Sequence, residues 1–323
     1  MVAFVIRRAA LALLLVFVAA SGALWLTRLA PGDLTSEIAL DASAAEIAGR
    51  RERFGLDRGV AAQWAGWIGR TLRLDFGESS LYDRPVAGLI GRAAANTAIL
   101  AAAALCLATL LGIPSGMLTG SRSGGAAASA IRGASIACLS LPPLLTSLVL
   151  VWLASRTGWL PVGGMTTATA DGPGWGRWLA DVAWHLPLPT LALALPLAAT
   201  LERLQSQAMS EAVREPFVRA AAARGVSPRR LLIRHAWRVS LRPVVGLSGI
   251  IVGGLLSGSF AVEYVTAWPG LGRLMYEALR ARDVYLVAGC VAAGALFLGL
   301  GSLVSDVLLA VVDPRVTHRA ESV

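Results

Sequence analysis

Lysine is absent from this chain of 323 residues, and all 29 of its basic residues are arginine. A Walker A phosphate loop needs a lysine to reach the β- and γ-phosphates. The chain therefore carries no standard one, and it has no lysine to form a Schiff base. Charge is scarce as well, at 15 % of residues against about a quarter in soluble domains. The three cysteines, Cys106, Cys138 and Cys290, each lie in or beside an apolar run without metal-type spacing. That pattern implies buried, inert thiols and no disulfide framework. His185, His235 and His318 are far apart. No Gly-x-Ser-x-Gly elbow and no His-Glu-x-x-His pair occurs, so no catalytic or metal-ligating constellation is expected.

What the chain has is apolar length. Hydrophobic residues make up 56 % of it, and they fall in uncharged runs of roughly 20 residues, the length that crosses a bilayer core of about 30 Å. Arg7 and Arg8 precede a run from Ala9 to Trp25, longer than the apolar core of a signal peptide, so an uncleaved first helix is expected. Five further spans are expected near Asn96–Leu118, Ala134–Ala154, Leu186–Ala208, Pro243–Val262 and Tyr285–Val312. Pro142, Pro143, Pro187, Pro189 and Pro196 fall in or at the start of the third and fourth, where membrane neighbours can satisfy freed backbone groups. Small residues in stretches such as AAAALCLATLLG permit close helix approach.

Arginines between the spans fit membrane topology better than nucleic-acid binding. Between Glu211 and Arg242 there are eight arginines against two glutamates. Long polar loops translocate largely regardless of charge, so this short basic segment and the Arg7–Arg8 pair favour both termini inside. Residues 33–92 are too polar to span and read as a small cap on the outer face. Within them SAAEIAGRRERFGL and VAAQWAGWIGRTLRL suggest short amphipathic helices, with turns at GLDRG and DFGES.

The most informative segment is EAVREPFVRAAAARGVSPRRLLIRHAWRVSLRPVVG, Glu211 to Gly246. RAAAARG is a strong helix former ending at Gly225, a good terminator. Ser227 followed by Pro228 reads as a cap and first turn. Leu231, Leu232, Ala236 and Trp237 recur at helical spacing beside Arg229, Arg230, Arg234, His235 and Arg238. The segment describes a helix–turn–helix hairpin with one apolar and one basic face. Its residues leave two readings open, a solvated basic loop that anchors topology or a docking element for a cytoplasmic partner.

The same segment resembles the cytoplasmic loop of binding-protein-dependent ABC-transporter permeases of the dipeptide/oligopeptide/nickel subfamily. In that family the short helix of the loop inserts into a groove on the ATPase subunit. By this resemblance Ala220, Ala221 and Gly225 stand at the alanine pair and glycine of the loop motif. PRRLLIRHA, Pro228 to Ala236, is similar to the segment that follows, and Pro243 to the proline opening the fifth span. The wider superfamily begins the motif with Glu, where Arg219 or Ala220 stands here, so the resemblance implies no Glu-based contact.

Further resemblances occur in order along nearly the whole chain. They are FVIRRAALALLLVFVAASGALWLTRLAPGD at the start, LDFGESSLYDRPV (Leu74–Val86), GWLPVGG (Gly158–Gly164), AWPGLGRLMYEAL (Ala267–Leu279) and VDPR (Val312–Arg315).

The resemblance implies an all-α integral membrane protein with six transmembrane helices, a type I ABC importer permease fold with a small extracytoplasmic cap. It implies residues 1–93 as first helix plus outer loop, 94–313 as the permease domain with its coupling loop at about 209–242, and 314–323 as a cytoplasmic tail. The implied partners are a second homologous permease, two ABC ATPase subunits, an extracytoplasmic binding protein and membrane lipid, with no nucleic acid. No cofactor is expected in this chain, ATP and Mg belonging to the ATPase subunits, and no catalysis is expected of it. The coupling residues implied are Arg219, Ala220, Ala221, Gly225, Ser227, Pro228, Arg229, Arg230, Arg234 and His235. Di- or oligopeptides are the first cargo, nickel or a metal chelate the second. A secondary carrier or channel acting alone is the rival from another class. It would show inverted repeats or midplane charges, and neither is seen.

Ionisable residues inside spans are functional candidates by default. Glu202 and Arg203 in the fourth span are expected where the helix emerges at the inner interface. Glu263 ends the fifth span. Asp306 lies in the sixth, within reach of headgroups or inner-loop arginines. No residue is assigned to a substrate path from sequence.

Overall fold

The computed structural model describes residues 2–29, 49, 59–73, 75–121, 125–167 and 174–312, with side chains from 6 to 307. Among the described residues, apart from one two-stranded hairpin, the regular structure is helical. In chain order the elements are α1 (Val2–Leu29), α2 (Val60–Thr71), β1 (Glu78–Ser79), β2 (Arg84–Pro85), α3 (Val86–Gly120), α4 (Ala126–Ser140), α5 (Pro143–Thr157), α6 (Trp175–His185) and α7 (Pro187–Ala212). They continue with α8 (Pro216–Ala223), α9 (Pro228–Arg230), a π-helical stretch at Leu231–Ala236, α10 (Trp237–Gly246), α11 (Ser248–Val265), α12 (Leu271–Arg280) and α13 (Val284–Val312).

Among the described residues four helices are long and apolar enough to cross a membrane: Ile6–Leu29, Val86–Gly120, Ser248–Val265 and Val284–Val307. The count rises to six when α4 with α5, and α6 with α7, are each taken as one bent span. On that count the expected six spans are reached, but two expected outlines change. The third span, expected as one helix from Ala134 to Ala154, is bent by 102° between Ser140 and Pro143. The ring of Pro142 pushes Leu141 into the extended region, at φ −106° and ψ 110°. Pro143 then opens α5 at a position where its missing N–H costs nothing. The fifth span begins at Ser248, after a turn at Leu247. Pro243, expected at its start, lies inside α10. Of the two amphipathic helices expected in residues 33–92, the second forms α2, whereas the first, apart from Gly49, lies outside the described residues, as does the tail 314–323.

The chain clusters into two compact units. One comprises Ile6–Ala98 and Pro269–Gly299. Residues 93 and 94 both lie within α3. Its interior packs Ala20 and Leu24 of α1 and Trp67 of α2 with Val284, Ala288 and Ala292 of α13. A neighbouring cluster joins Val86 and Ala93 to Leu271, Leu274 and Ala278 of α12 and Leu286, Val287 and Cys290 of α13. The turn region is tied by Asp283, 1 % exposed, whose carboxylate accepts from Ser79 Oγ at 2.6 Å, Leu81 N at 3.1 Å and Leu286 N at 3.0 Å. Tyr82 donates its hydroxyl to Glu277. Burial, then the Glu277 carboxylate, pushes the Tyr82 phenol up to about 12.

The other unit comprises Ile99–Trp268 with the chain ends. Helix α7 is its hub and touches α4, α5, α6, α10 and α11. The core gathers Leu100, Ala104 and Ala108 of α3, Leu193, Ala198 and Leu201 of α7, and Ile251, Leu255 and Val262 of α11. Along α3 the glycines Gly112, Gly116 and Gly120 recur every fourth residue. A Cβ on each would meet the backbone oxygens of Ala198, Glu202 and Ser206 at 2.6, 2.5 and 2.3 Å. Two helices approach this closely only across a stripe of small residues.

Candidate functional site

The hairpin read from sequence is present. Pro216 opens α8, and its four consecutive alanines at 220–223 favour helix. The chain turns at Gly225, which holds φ at +82°, a conformation that glycine adopts without steric cost. The N–H of Gly225 donates to Ala222 O at 3.0 Å and that of Val226 to Ala221 O at 3.3 Å, closing the helix end. Pro228 then opens α9. Ser227 occupies the cap position, but its side chain makes no capping hydrogen bond. The expected second helix is not regular. It widens into a π-helical stretch over Leu231–Ala236 before α10, and such stretches are frequent at functional sites.

The candidate residues divide by burial. Arg219, Ala220, Gly225, Ser227, Pro228, Arg229, Arg230 and Arg234 are exposed, and His235 is half-buried. Ala221 is instead 2 % exposed, beside the equally buried Val218. The alanine pair is thus split, with Ala220 on the free surface and Ala221 inside the hairpin. Phe217 adds an exposed aromatic ring next to Arg219.

Beneath the hairpin a small apolar cluster unites Met209 and Ala212 of α7 with Ala236, and Met117 of α3, Leu232 and Val239 pack against it. A buried polar contact lies alongside, where Gln205 Nε2 donates to Ser240 Oγ at 2.8 Å. The hairpin therefore rests on the hub helix through apolar packing and one buried hydrogen bond. A rigid displacement of the hairpin is passed to α7 more readily than one of a loosely tethered loop.

A second feature was not legible in the sequence. The α3, α4 and α7 helices enclose an open cavity of about 550 Å³, lined in part by Arg132, Glu202, Arg203, Ser206, Gln207 and Ser210. Glu202, expected at an interface, is 3 % exposed. Its carboxylate accepts from Thr119 Oγ1. Arg132 of α4 also lines the cavity and donates to the backbone of the same residue, Thr119 O, at 2.6 Å. The charge pair at 202–203 in an apolar span was the available signal. The partners on α3 and α4 depend on tertiary register and leave no mark in local sequence. Glu263 is fully buried, and Asp306 is half-buried. Among the described residues no group of three or more His, Cys, Asp or Glu is placed to hold a metal ion.

Residues 112–318 match the model of the family described as binding-protein-dependent transport system inner membrane component. The chain belongs to that family. The match includes the hairpin, the hub helix and every residue that lines the cavity. Two relatives align over most of their length. The oligopeptide transport system permease protein AppB of Bacillus subtilis is 29 % identical over 98 % of this chain and 100 % of its own. The oligopeptide transport system permease protein OppB of Mycobacterium tuberculosis is 32 % identical over 84 % of this chain and 85 % of its own. The family and the apolar helices together make this a multi-pass membrane protein.

Proposed function

We propose that this chain is a translocating permease subunit of an ATP-driven peptide importer, coupled to separate ATPase chains by the α8–α10 hairpin. The single observation that carries the coupling role is the hairpin's construction: an exposed surface of Phe217, Arg219, Ala220 and Arg229 set on a buried underside that grips α7. Peptide cargo is supported by the oligopeptide transport relatives, which align from end to end or nearly so. In this reading the hairpin and both termini face the cytoplasm. A second permease completes the channel, two ATPase subunits hold ATP and Mg, and a binding protein delivers cargo at the outer face. The chain speeds no chemistry. ATP binding favours one of two membrane conformations, and the hairpin carries that preference to the helices.

The test is Gly225→Pro in the full complex reconstituted into liposomes. Proline cannot adopt the positive φ of this turn and lacks the N–H that bonds Ala222. ATPase activity persists and peptide accumulation per ATP hydrolysed collapses. Unchanged accumulation per ATP would count against coupling through the hairpin.

A further inference from the structure

Among the described residues Glu202 makes one side-chain hydrogen bond, from Thr119, and has no ion-pair partner. A carboxylate so buried is costly unless a cation or several donors compensate it. Two exposed arginines also line the cavity: Arg132, which donates to Thr119 O at 2.6 Å, and Arg203. Arg203 has no side-chain partner among the described residues. The remaining polar lining, Ser206, Gln207 and Ser210, supplies neutral donors and acceptors of no fixed sequence preference. The volume of about 550 Å³ lies in the range of about 300–1,000 Å³ usual for small-molecule sites. A pocket offering one buried carboxylate and two guanidinium groups is complementary to a small zwitterion that carries a primary ammonium and a carboxylate. A simple anion would leave the buried Glu202 carboxylate without a cation, and an apolar solute would leave all three charges unpaired.

We infer that this cavity is a cargo subsite on the translocation path, in which Glu202 receives the N-terminal ammonium of a short peptide and Arg132 and Arg203 receive its C-terminal carboxylate. Charge-assisted bonds of this kind recognise chain termini whatever the side chains between them, which suits a permease that passes peptides of varied sequence. The inference rests on the peptide reading above.

Its test uses the whole complex in vesicles of phosphatidylglycerol and phosphatidylcholine, which carry no primary ammonium. Of the three thiols expected to be buried, only Cys290 is so, Cys106 being exposed and Cys138 half-buried. In a Cys106→Ser/Cys138→Ser background, Ser210→Cys reports access to the cavity through its rate of modification by a charged thiosulfonate. Trialanine slows modification. N-acetyl-trialanine and trialanine amide do so only at about tenfold higher concentration, the value of one charge-assisted contact. Glu202→Gln erases the difference between free and acetylated peptide. Arg203→Gln, at an exposed position that tolerates change, weakens the preference for the free carboxylate over the amide. Equal protection by blocked and free peptides overturns the inference, as does protection that appears without peptide once phosphatidylethanolamine is added. If the complex accumulates peptide yet no peptide protects the thiol, the subsite is wrong and the peptide reading stands. If it accumulates no peptide but another solute, the peptide reading itself fails.

Discussion

Thr119 of α3 donates its hydroxyl to the buried carboxylate of Glu202 on α7, three residues beyond Gly116, whose bare Cα faces the Glu202 carbonyl. The two contacts belong together. Only a glycine stripe lets the helices approach closely enough for a threonine, the shortest side chain that carries both a methyl and a hydroxyl, to reach across. The position of the cavity is therefore a consequence of helix packing on the hub.

Gly116→Ala tests this packing. Its Cβ would lie 2.5 Å from Glu202 O and 2.7 Å from Gln205 Cβ, so α3 and α7 must part, at a cost of about 1–3 kcal/mol. Gly133→Ala in α4 is the matched control, because a Cβ there meets nothing within 4 Å. It should be neutral or stabilising by about 0.5–1 kcal/mol. Calorimetric Tm of the purified complex should fall for the first variant and not for the second.

Gly225 gives a graded series. Asparagine tolerates the left-handed region better than alanine does, and proline is excluded from it. Transport per ATP should fall in the order Gly, Asn, Ala, Pro, with alanine costing the turn about 1–2 kcal/mol. A flat series, read as peptide accumulated per phosphate released in proteoliposomes, would show that the turn geometry is irrelevant.

The Gln205–Ser240 bond is buried on both sides. Ser240→Ala removes the acceptor and leaves the amide of Gln205 stranded, which costs about 1–3 kcal/mol. Gln205→Leu with Ser240→Ala removes both partners and should recover most of that loss. A double-mutant cycle on thermal stability measures the coupling, and additive effects would contradict a direct bond between hub and hairpin.

Tyr82 should titrate late. Its phenol is raised from 10.0 to about 12 by burial and by Glu277. A group whose folded pKa is raised contributes stability that is fully present below its unfolded value and lost as pH rises through the folded one. That contribution is therefore intact below pH 10.0 and disappears towards about 12. Tyrosinate absorbance, compared between wild type and Tyr82→Phe, should differ by one component titrating near the upper value. A component at the ordinary tyrosine value would mean that both the burial of the phenol and its contact with Glu277 are absent in solution.

Several elements could be read before any fold was known. Runs of uncharged residues long enough to cross a bilayer set the number of spans, because a chain in hydrocarbon must close its backbone bonds within each segment. The hairpin could be read because its punctuation is local. Gly225 needs no neighbour to prefer a left-handed turn, and Pro228 opens a helix wherever it stands. The α2 helix could be read for the same reason, whereas the bend between α4 and α5 could not, since a Pro-Pro step in a span is compatible with either a kink or a full break.

Tertiary structure alone decided the rest. Whether Ala220 or Ala221 faces outward depends on how α8 lies on the π-helical stretch. Glu202 meets Thr119 and shares its cavity with Arg132 only because three helices distant in sequence converge in one register. Local sequence determined which segments fold, and how they begin and end, because those choices rest on neighbouring backbone torsions and on contact with lipid. The charged cavity and the hairpin's grip on the hub depend on contacts between segments, whose energies exist only after the helices have packed.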